Sequence, residues 1–344
     1  MHTHTRTILI TGANGEVGRG LVKHFASLPD APQIITLDLN PLDVSLQACV
    51  TEHVTGSILD KALLADLNTR YTVDTIFHMA ALLSTTGEKY PALAHDVNVN
   101  GTVNLLELAV QAGKKQSAPV TFIYPSSIAV YGLPDLATKN AVGAVSEDVY
   151  LQPTTMYGVN KLYGEHIGRY YSQHFGQFEN NTEQLDFRGV RFPGLISAET
   201  VPSGGTSDYG PEMIHSIARG DSYTCFVRED TRLPFMTMPD AVRALTLLAD
   251  ADRFSLSRTV YNVTSFSLTA GNFANIVRDT FPTANITFAP DSGRQAIVDT
   301  WAADLNDSAA RADWSWHPIH DYTSAFKSYL FPQIQQRYST PELT

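Results

Sequence analysis

A tyrosine and a lysine four residues apart are the side chains of this sequence best suited to acid–base chemistry. Tyr157 and Lys161 stand in the string Tyr157-Gly-Val-Asn-Lys161, and this spacing places both on one face of a helix. A neighbouring ammonium favours the phenolate, so the pair predicts a lowered tyrosine pKa and a general base that works near neutral pH. The spacing alone also fits an ordinary helix with a solvated lysine.

A serine upstream supplies a third group. Ser127 lies in Pro125-Ser-Ser-Ile-Ala-Val-Tyr-Gly132, at the carboxyl end of a predicted strand around Phe122, where open α/β sheets place their ligand crevice. A hydroxyl there can hydrogen-bond a substrate oxygen as it becomes a carbonyl. The alternative is that the serines are turn residues only.

A glycine-rich loop follows the first predicted strand. The string Gly12-Ala-Asn-Gly-Glu-Val-Gly18 opens a helix, and such a loop lets the backbone approach a pyrophosphate whose charge meets the helix N-terminus. The residues that we assign to this cofactor contact are Gly12, Asn14, Gly15, Glu16, Val17 and Gly18. The alternative is a plain glycine-rich turn.

An acid ends the second predicted strand. Asp38 stands twenty residues beyond Gly18, where a carboxylate accepts hydrogen bonds from the adenosine ribose. The next residues, Leu39 and Asn40, include no arginine that would neutralise a 2′-phosphate. The pattern therefore predicts NAD rather than NADP, with a solvated strand-end acid as the alternative.

Strand and helix patterns alternate along the first half of the chain. Apolar runs at 7–11, 33–38, 74–78, 119–124 and 189–192 alternate with helical patterns that include 91–112 and 155–174. This order predicts an α/β fold, a Rossmann-type doubly wound parallel sheet with a smaller C-terminal substrate-binding lobe. The predicted boundaries are 1–194 for the cofactor domain, with 236–265 returning to it, 195–235 and 266–332 for the lobe, and 333–344 for a loose tail. Polar stretches at 135–148 and 177–184 are predicted to be surface insertions.

Composition limits the possible functions. The 344 residues are 43% hydrophobic and 17% charged, with a net charge of −11, which is ordinary for a globular protein and unlike a nucleic-acid binder. Cys49 and Cys225 offer no zinc spacing, the histidines show no metal motif, and no apolar run could span a bilayer. We therefore expect a cytoplasmic protein with no metal, nucleic-acid or membrane partner.

Taken together, these motifs resemble the extended short-chain dehydrogenase/reductase superfamily, which includes nucleotide-sugar epimerases and dehydratases. The resemblance rests on the glycine loop, His78-Met-Ala-Ala81, Val97-Asn-Val-Asn-Gly-Thr102, the Ser127 segment and the Tyr157/Lys161 pair, in that order. It implies that Ser127, Tyr157 and Lys161 form the catalytic trio. It also implies that the cofactor is contacted by Met79, Ala80, Ala81, Ser57, Ile58 and Pro193, and by Leu39, Tyr157 and Lys161, with Lys161 on the nicotinamide ribose. Ser57 stands where the family usually has an acid.

Longer strings are similar to the short-chain family of L-threonine 3-dehydrogenases. They are 78–88, 191–197, 204–209, 223–234 and 238–241. This resemblance implies NAD-dependent oxidation of L-threonine to 2-amino-3-oxobutyrate, in which Tyr157 takes the hydroxyl proton. It further implies that Ser84 and Thr206 contact the amino acid and that the protein is a homodimer built on helices near 91–112 and 155–174.

Three other functions stay open at this point. A nucleotide-sugar epimerase or dehydratase would need arginines for the substrate diphosphate, and Arg232 and Arg243 are available. A dehydrogenase of another small β-hydroxy acid would use the same trio. A non-catalytic NAD sensor would need only the cofactor site, which makes an intact trio unexpected.

Overall fold

The computed structural model describes residues 5–179, 183–202 and 205–339. Its strands are β1 (Thr7–Thr11), β2 (Gln33–Asp38), β3 (Glu52–Thr55), β4 (Thr75–His78), β5 (Val120–Ser127), β6 (Ala144–Val145), β7 (Leu185–Phe192), β8 (Gly194–Ile196), β9 (Tyr223–Cys225), β10 (Arg232–Thr237), β11 (Val260–Asn262), β12 (Phe266–Thr269), β13 (Ile286–Phe288) and β14 (Asp304–Leu305).

Helices connect most of these strands. They are α1 (Glu16–Ala26), α2 (Val44–Gln47), α3 (Lys61–Arg70), α4 (Ser84–Lys89), α5 (Pro91–His95), α6 (Gly101–Gln116), α7 (Leu136–Val142), α8 (Met156–Gln173), α9 (Tyr209–Ala218), α10 (Met238–Asp250), α11 (Ala270–Thr280), α12 (Ser292–Thr300), α13 (Ser308–Trp314), α14 (Tyr322–Ser324) and α15 (Phe331–Ser339). π-helical turns, Asp96–Asn100 and Ala325–Leu330, join α5 to α6 and α14 to α15. Short 3₁₀ turns cover Ile128–Val130, Gln177–Glu179 and Arg253–Ser255.

Seven strands form the main sheet in the order β11-β7-β5-β4-β1-β2-β3. Each neighbouring pair is parallel. The strand order runs outward in both directions from the β1/β4 pair, which makes that pair the switch point where open α/β sheets hold ligands at their carboxyl ends. The fold class predicted from the sequence is confirmed.

Alternating side chains of the strands fill two hydrophobic layers. In β1, Ile8 and Ile10 join one core cluster with Phe25 of α1 and Leu245 of α10, whereas Leu9 joins the opposite cluster. This is the alternation expected for a strand buried on both faces. The sheet is thus covered by helices on each side.

Helix α8 lies unusually close to the sheet because glycine faces it. A Cβ added at Gly168 would lie 2.1 Å from the Phe187 ring, and one at Gly164 would lie 2.1 Å from the Tyr124 hydroxyl. Neither position therefore accepts a larger side chain without moving the helix. The close packing fixes the depth at which α8 presents its N-terminal residues.

The second half of the chain adds smaller sheets. Strands β12, β10 and β8 form one of them, β13 pairs with β9, and β14 pairs with β6. A separate hydrophobic cluster, which includes Phe235, Phe273 and Phe326, lies among these elements and the helices α9 and α11. Strand β11 returns to the main sheet beside β7.

Much of the stretch 135–148 is exposed, as expected of a surface segment, whereas the expectation for the tail needs correction. The stretch 135–148 is anchored, because Val145 pairs with Leu305 and Lys139 is buried with its Nζ donating to the Val298 carbonyl at 2.7 Å. The tail is not loose up to residue 339, because α15 buries Ile334 and its neighbour Phe331. The second stretch, 177–184, lies partly outside the described residues.

Candidate active site

One cleft of about 540 Å³ opens at the carboxyl ends of β1, β4 and β5. The site residues proposed from the sequence that line it are Gly12, Asn14, Gly15, Glu16, Val17, Gly18, Met79, Ala81, Ser84, Ser127, Tyr157, Lys161, Pro193 and Thr206. Five others, Asp38, Leu39, Ser57, Ile58 and Ala80, are not among its lining residues. The glycine loop, the trio of Ser127, Tyr157 and Lys161, and the predicted substrate residues Ser84 and Thr206 therefore share one cleft.

The glycine loop needs glycine at its first position for two reasons. Gly12 has φ +65°, and a Cβ there would lie 2.7 Å from the Ala80 nitrogen at the end of β4. Gly15 is the N-cap of α1 and offers no side chain to the first-turn amides. These amides and the helix dipole fit the pyrophosphate of a dinucleotide.

Asp38 ties the end of β2 to this loop. Its carboxylate oxygens accept hydrogen bonds from the backbone amides of Asn14 at 3.0 Å and Asn40 at 3.1 Å. Ser57 accepts a hydrogen bond from the Leu59 amide at 3.1 Å. Leu39 is largely exposed and Ile58 is buried, so the predicted adenosine contacts of this group stay predictions.

Glu16 links the loop to the segment after β8. Its carboxylate accepts a hydrogen bond from the Thr200 hydroxyl. Burial raises its pKa, the Thr200 hydrogen bond opposes that rise, and the charge of Asp208 adds to it. A residue placed in the cofactor loop by its sequence position thus also contacts the second half of the chain.

The predicted trio is assembled by β5 and α8. Ser127 is the last residue of β5, and Tyr157 and Lys161 lie in the first two turns of α8, which begins where the Thr155 hydroxyl accepts the Gly158 amide at 3.1 Å. Ser127 lies close enough to Tyr157 to lower the pKa of the tyrosine hydroxyl. The three groups predicted from the sequence therefore meet.

The expected lowering of the tyrosine pKa is wrong in this structure. Burial raises the pKa of Tyr157 to about 12, although Ser127 opposes the rise. The Lys161 ammonium lies 5.5 Å from the centre of the Tyr157 ring, and burial lowers its own pKa to about 7, against the opposing charge of Glu165. The desolvation of both groups outweighs their mutual attraction.

Lys161 is held by neutral partners. Its Nζ donates to the Pro125 carbonyl at 2.6 Å and lies 4.7 Å from the centre of the Tyr124 ring. The side chain is 4% exposed, so its position is fixed although no carboxylate contacts it. The ammonium can donate in two directions, toward Pro125 and into the cleft that it lines.

A buried polar network behind the trio escaped the sequence analysis. Glu165 accepts hydrogen bonds from the Ser126 hydroxyl and from two nitrogens of Arg191, the shorter at 2.6 Å. Arg191 also donates to the Tyr131 hydroxyl at 3.0 Å. Burial opposes the charge of Arg191, but the hydrogen bonds and charge of Glu165 raise its pKa. The only local signal was Glu165 standing four residues after Lys161.

His78 is a neutral structural residue beside the cleft. Burial, assisted by the charge of Lys161, lowers its pKa to about 3. Its Nδ1 lies 3.0 Å from the Thr11 hydroxyl and its Nε2 lies 2.9 Å from the Thr102 hydroxyl. Thr102 donates to the Asn98 carbonyl at 2.6 Å, so the Nε2 carries the proton.

The predicted substrate hydroxyls lie together. Ser84 at the start of α4 and Thr206 are both buried, with their oxygens 3.1 Å apart. The sequence did not single out Trp301, which lines the same cleft from the end of α12. Its buried indole N–H has no hydrogen-bond partner among the described residues. No motif places Trp301 there, because tertiary packing brings it in.

Comparison with known proteins gives the class of this chain. The model of the NAD dependent epimerase/dehydratase family matches residues 8–264. Bovine (Bos taurus) mitochondrial L-threonine 3-dehydrogenase is 34% identical over 92% of this chain and 79% of its own length. The chain therefore belongs to the NAD dependent epimerase/dehydratase family.

Solved structures show which members of the family this chain resembles. A monomeric L-threonine 3-dehydrogenase from a metagenome, in its apo form, is 35% identical, with a TM-score of 0.84 over 96% of this chain and 99% of its own. The L-threonine 3-dehydrogenase of Trypanosoma brucei is 30% identical, with a TM-score of 0.86 over 99% and 100%. This protein is an oxidoreductase of the family that resembles L-threonine 3-dehydrogenases and uses a nicotinamide cofactor.

The described part of the chain contains neither a cluster of potential metal ligands nor a membrane-spanning helix. In residues 5–179, 183–202 and 205–339, no group of three His, Cys, Asp or Glu side chains is arranged to hold a metal ion. Within the same ranges, no helix combines the length and the apolar character that crossing a bilayer requires.

Proposed function

We propose that this enzyme oxidises the side-chain hydroxyl of L-threonine with NAD, giving 2-amino-3-oxobutyrate. The observation that carries the proposal is the shared cleft, in which the Ser84/Thr206 hydroxyl pair lies with Ser127 and Tyr157. Polar groups for a small substrate and an acid–base trio are thus available together. The resemblance to L-threonine 3-dehydrogenases favours threonine among small hydroxy acids.

Each member of the trio has a separate task in this proposal. Ser127 hydrogen-bonds the reacting oxygen, and Tyr157 accepts the proton of the substrate hydroxyl as the carbonyl forms. The nicotinamide, when bound, accepts the hydrogen and electron pair that leave the same carbon. Lys161, held at Pro125, favours the phenolate of Tyr157 while the lysine carries its proton, against the burial that raises the tyrosine pKa.

The charges that line the cleft favour an amino acid over a sugar nucleotide. Among its described lining residues, Lys161 is the one cationic side chain, whereas Glu16 and Asp208 are acidic. An ammonium group is attracted to such carboxylates, but a substrate diphosphate would need arginines. Arg232 is exposed and donates to the Ser267 carbonyl, and neither it nor Arg243 lines the cleft.

We infer a dinucleotide placed across the switch point. The glycine loop and the amides at the start of α1 would hold its pyrophosphate, and Met79, Ala81 and Pro193 would lie along its nicotinamide half. Asp38, beside the loop, would accept from the ribose hydroxyls, with Leu39, Ser57, Ile58 and Ala80 in the same half of the site. An acid at this position favours NAD over NADP.

We also propose that the enzyme forms a homodimer. Leu93 of α5 and Val159, Tyr163 and Tyr170 of α8 are 43% to 49% exposed, and such apolar surface favours association of two copies through one two-fold interface. Sedimentation at micromolar concentrations tests this. Tyr163→Glu should shift a dimer to a monomer, whereas a wild-type monomer would contradict the proposal.

The first experiment follows absorbance at 340 nm with purified enzyme, NAD and L-threonine. Parallel reactions contain L-serine, 3-hydroxybutyrate, a UDP-sugar, and NADP in place of NAD. Because the cleft would pair both charged groups of an amino acid, removing the amino group should abolish most activity. Turnover of 3-hydroxybutyrate at the same rate, or none of threonine, would contradict the assignment.

A further inference from the structure

A second cleft, of about 490 Å³, lies beside the C-terminal half of α8. Its walls are α8 residues such as Arg169 and Ser172, the start of β7, and the segment from Arg253 to Val260 that leads into β11. No described residue lines both this cleft and the catalytic cleft, although α8 contributes residues to each. Its size is within the range of sites for small molecules.

Two arginines of this cleft lack an acidic partner. Arg191 is paired with Glu165 and Arg258 with Asp148. In the described ranges, by contrast, Arg169 and Arg253 form no ion pair, and the guanidinium of Arg253 lies 5.7 Å from the ring of Phe254. In a protein with a net charge of −11, unpaired cations facing one cleft indicate an anionic ligand.

His166 adds a third donor. The Arg169 guanidinium lies 2.7 Å from its Nδ1, and because a guanidinium only donates, that nitrogen must accept. The proton of the neutral imidazole is therefore on Nε2. His166 lines the cleft with the two arginines, so three residues present N–H groups to it.

We propose that this cleft binds a small phosphate monoester, whose phosphoryl group is held by Arg169, Arg253 and His166. Donors from three separate residues match the three terminal oxygens of a phosphoryl group, whereas a carboxylate has only two oxygens. The lining also holds four carboxylates, of which Asp148, Glu165 and Asp186 are paired with arginines and Glu147 accepts the Asn262 amide. Its polar side chains include Gln173, Ser257 and Thr259. Those groups suit the hydroxyls of the ester's organic part.

The proposed site has a common wall with the trio. Glu165 and Arg191 both line it, and Glu165 accepts a hydrogen bond from Ser126, next to Ser127. Glu165 also influences the pKa of Lys161. An anion bound here would act on the same pair of side chains that supports the catalytic groups.

The site borders the proposed dimer surface at His166, which lies three residues after Tyr163 and four before Tyr170 on α8. Glu165, Arg169 and Ser172 follow one another at helical spacings of four and three and form one face of α8. Val159, Tyr163 and Tyr170 form another face at spacings of four and seven. Dimer formation along the second face therefore leaves Arg169 and Ser172 accessible and places His166 at the edge of the interface.

The test is calorimetric titration of the enzyme saturated with NAD, so that the pyrophosphate cradle is already filled. Ribose 5-phosphate is the probe, inorganic phosphate and ribose are parallel arms, and ionic strength is held constant. The variants are Arg169→Gln and Arg253→Gln, each of an exposed residue, with Arg278→Gln on α11 as a matched control. Thermal unfolding checks that all remain folded.

We expect ribose 5-phosphate to bind the wild type, and each cleft variant to weaken binding about tenfold or more, the loss typical of one charge-assisted contact. Arg278→Gln should bind like the wild type. Absence of binding, or equal binding by the cleft variants, would overturn the proposal. Inorganic phosphate binding as tightly as the ester would overturn the assignment of an ester. No turnover is measured, so the result is independent of the substrate proposed above.

Discussion

Two buried cations near the Pro125-Ser126 segment, Arg191 and Lys161, have contrasting partners. Arg191 is 3% exposed and is held by a carboxylate, Glu165, through two hydrogen bonds. Lys161 is 4% exposed and is held by a carbonyl and an aromatic ring. The pKa of the arginine is raised and that of the lysine is lowered to about 7.

The difference separates a structural charge from a reactive one. A buried ion pair with satisfied hydrogen bonds holds its surroundings in one arrangement, whereas a buried amine with neutral partners can gain or lose its proton near neutral pH. Arg191 therefore fixes the network behind the trio, and Lys161 is available to the chemistry in front of it. Four substitutions test this contrast.

The largest effect should come from Tyr157→Phe, which removes the phenolic hydroxyl of the ring beside Lys161. We expect kcat to fall about 100-fold to 10,000-fold, the usual contribution of a general base. The dissociation constant for NAD should stay unchanged, as measured by calorimetry. Tyr163→Phe, on an exposed position of the same helix, is the control and should retain full activity; a similar loss there would place the effect in helix packing.

Arg191→Met should reduce the free energy of unfolding by about 3–5 kcal/mol, because it leaves the buried Glu165 carboxylate without its partner. Urea unfolding at pH 7 measures the change. The double variant Glu165→Leu with Arg191→Met removes both charges and should recover much of the loss. If the double variant is as unstable as the single one, the pair is not the source of the stability.

Lys161→Met should do the opposite and stabilise the protein near pH 7, by about 1–3 kcal/mol. The pKa gap between 10.5 and about 7 alone corresponds to about 5 kcal/mol, and the lost hydrogen bond to Pro125 offsets part of it. Between these two values the unfolded chain binds a proton that the folded one lacks, so wild-type stability rises with pH.

The advantage of Lys161→Met should therefore shrink as the pH increases from 7 toward 9.5. Urea unfolding across that range provides the measurement. A variant that is less stable than the wild type by the same amount at every pH would remove the distinction between the two cations.

The smallest effect should come from Thr155→Ala. The Thr155 hydroxyl caps α8 by accepting the Gly158 amide at 3.1 Å, and loss of an N-cap costs about 1 kcal/mol. Thermal unfolding measures it. The cap lies at the end of α8 that carries Tyr157, well before Glu165 in the chain. We therefore expect kcat to fall by a larger factor than the loss of folding stability alone would cause. Thr155→Ser should restore both kcat and stability.

Local patterns allowed the prediction of the main elements and much of the site. The glycine loop, Asp38 and the i, i+4 pair are short-range signals, and each strand or helix that carries them was found. The helix predicted over 91–112 extends from Pro91 to Gln116 through a π-helical turn. Ser84 and Thr206 came from the resemblance, and the structure brings them within hydrogen-bond distance.

What was missed depends on tertiary packing or on competing magnitudes. Nothing near Trp301 or Arg191 in sequence indicates that they approach the trio. The direction of the Tyr157 pKa shift depends on whether burial or the lysine charge is stronger, which no spacing reveals. The tail was misjudged although Phe331, Ile334 and Tyr338 have helical spacing; their partner surface, which includes His215 of α9, lies more than a hundred residues upstream.

The position of β11 has a consequence for how the protein is made. The separate hydrophobic cluster of the second half includes Phe235, and its strand β8 begins at Gly194. The strand β11, which completes the main sheet, is synthesised later, from Val260 onward. The two parts of the chain consequently cannot fold one after the other on the ribosome, as separate consecutive domains do. The sheet is completed only when part of its neighbour already exists, because β8 and β10 precede β11 in the chain.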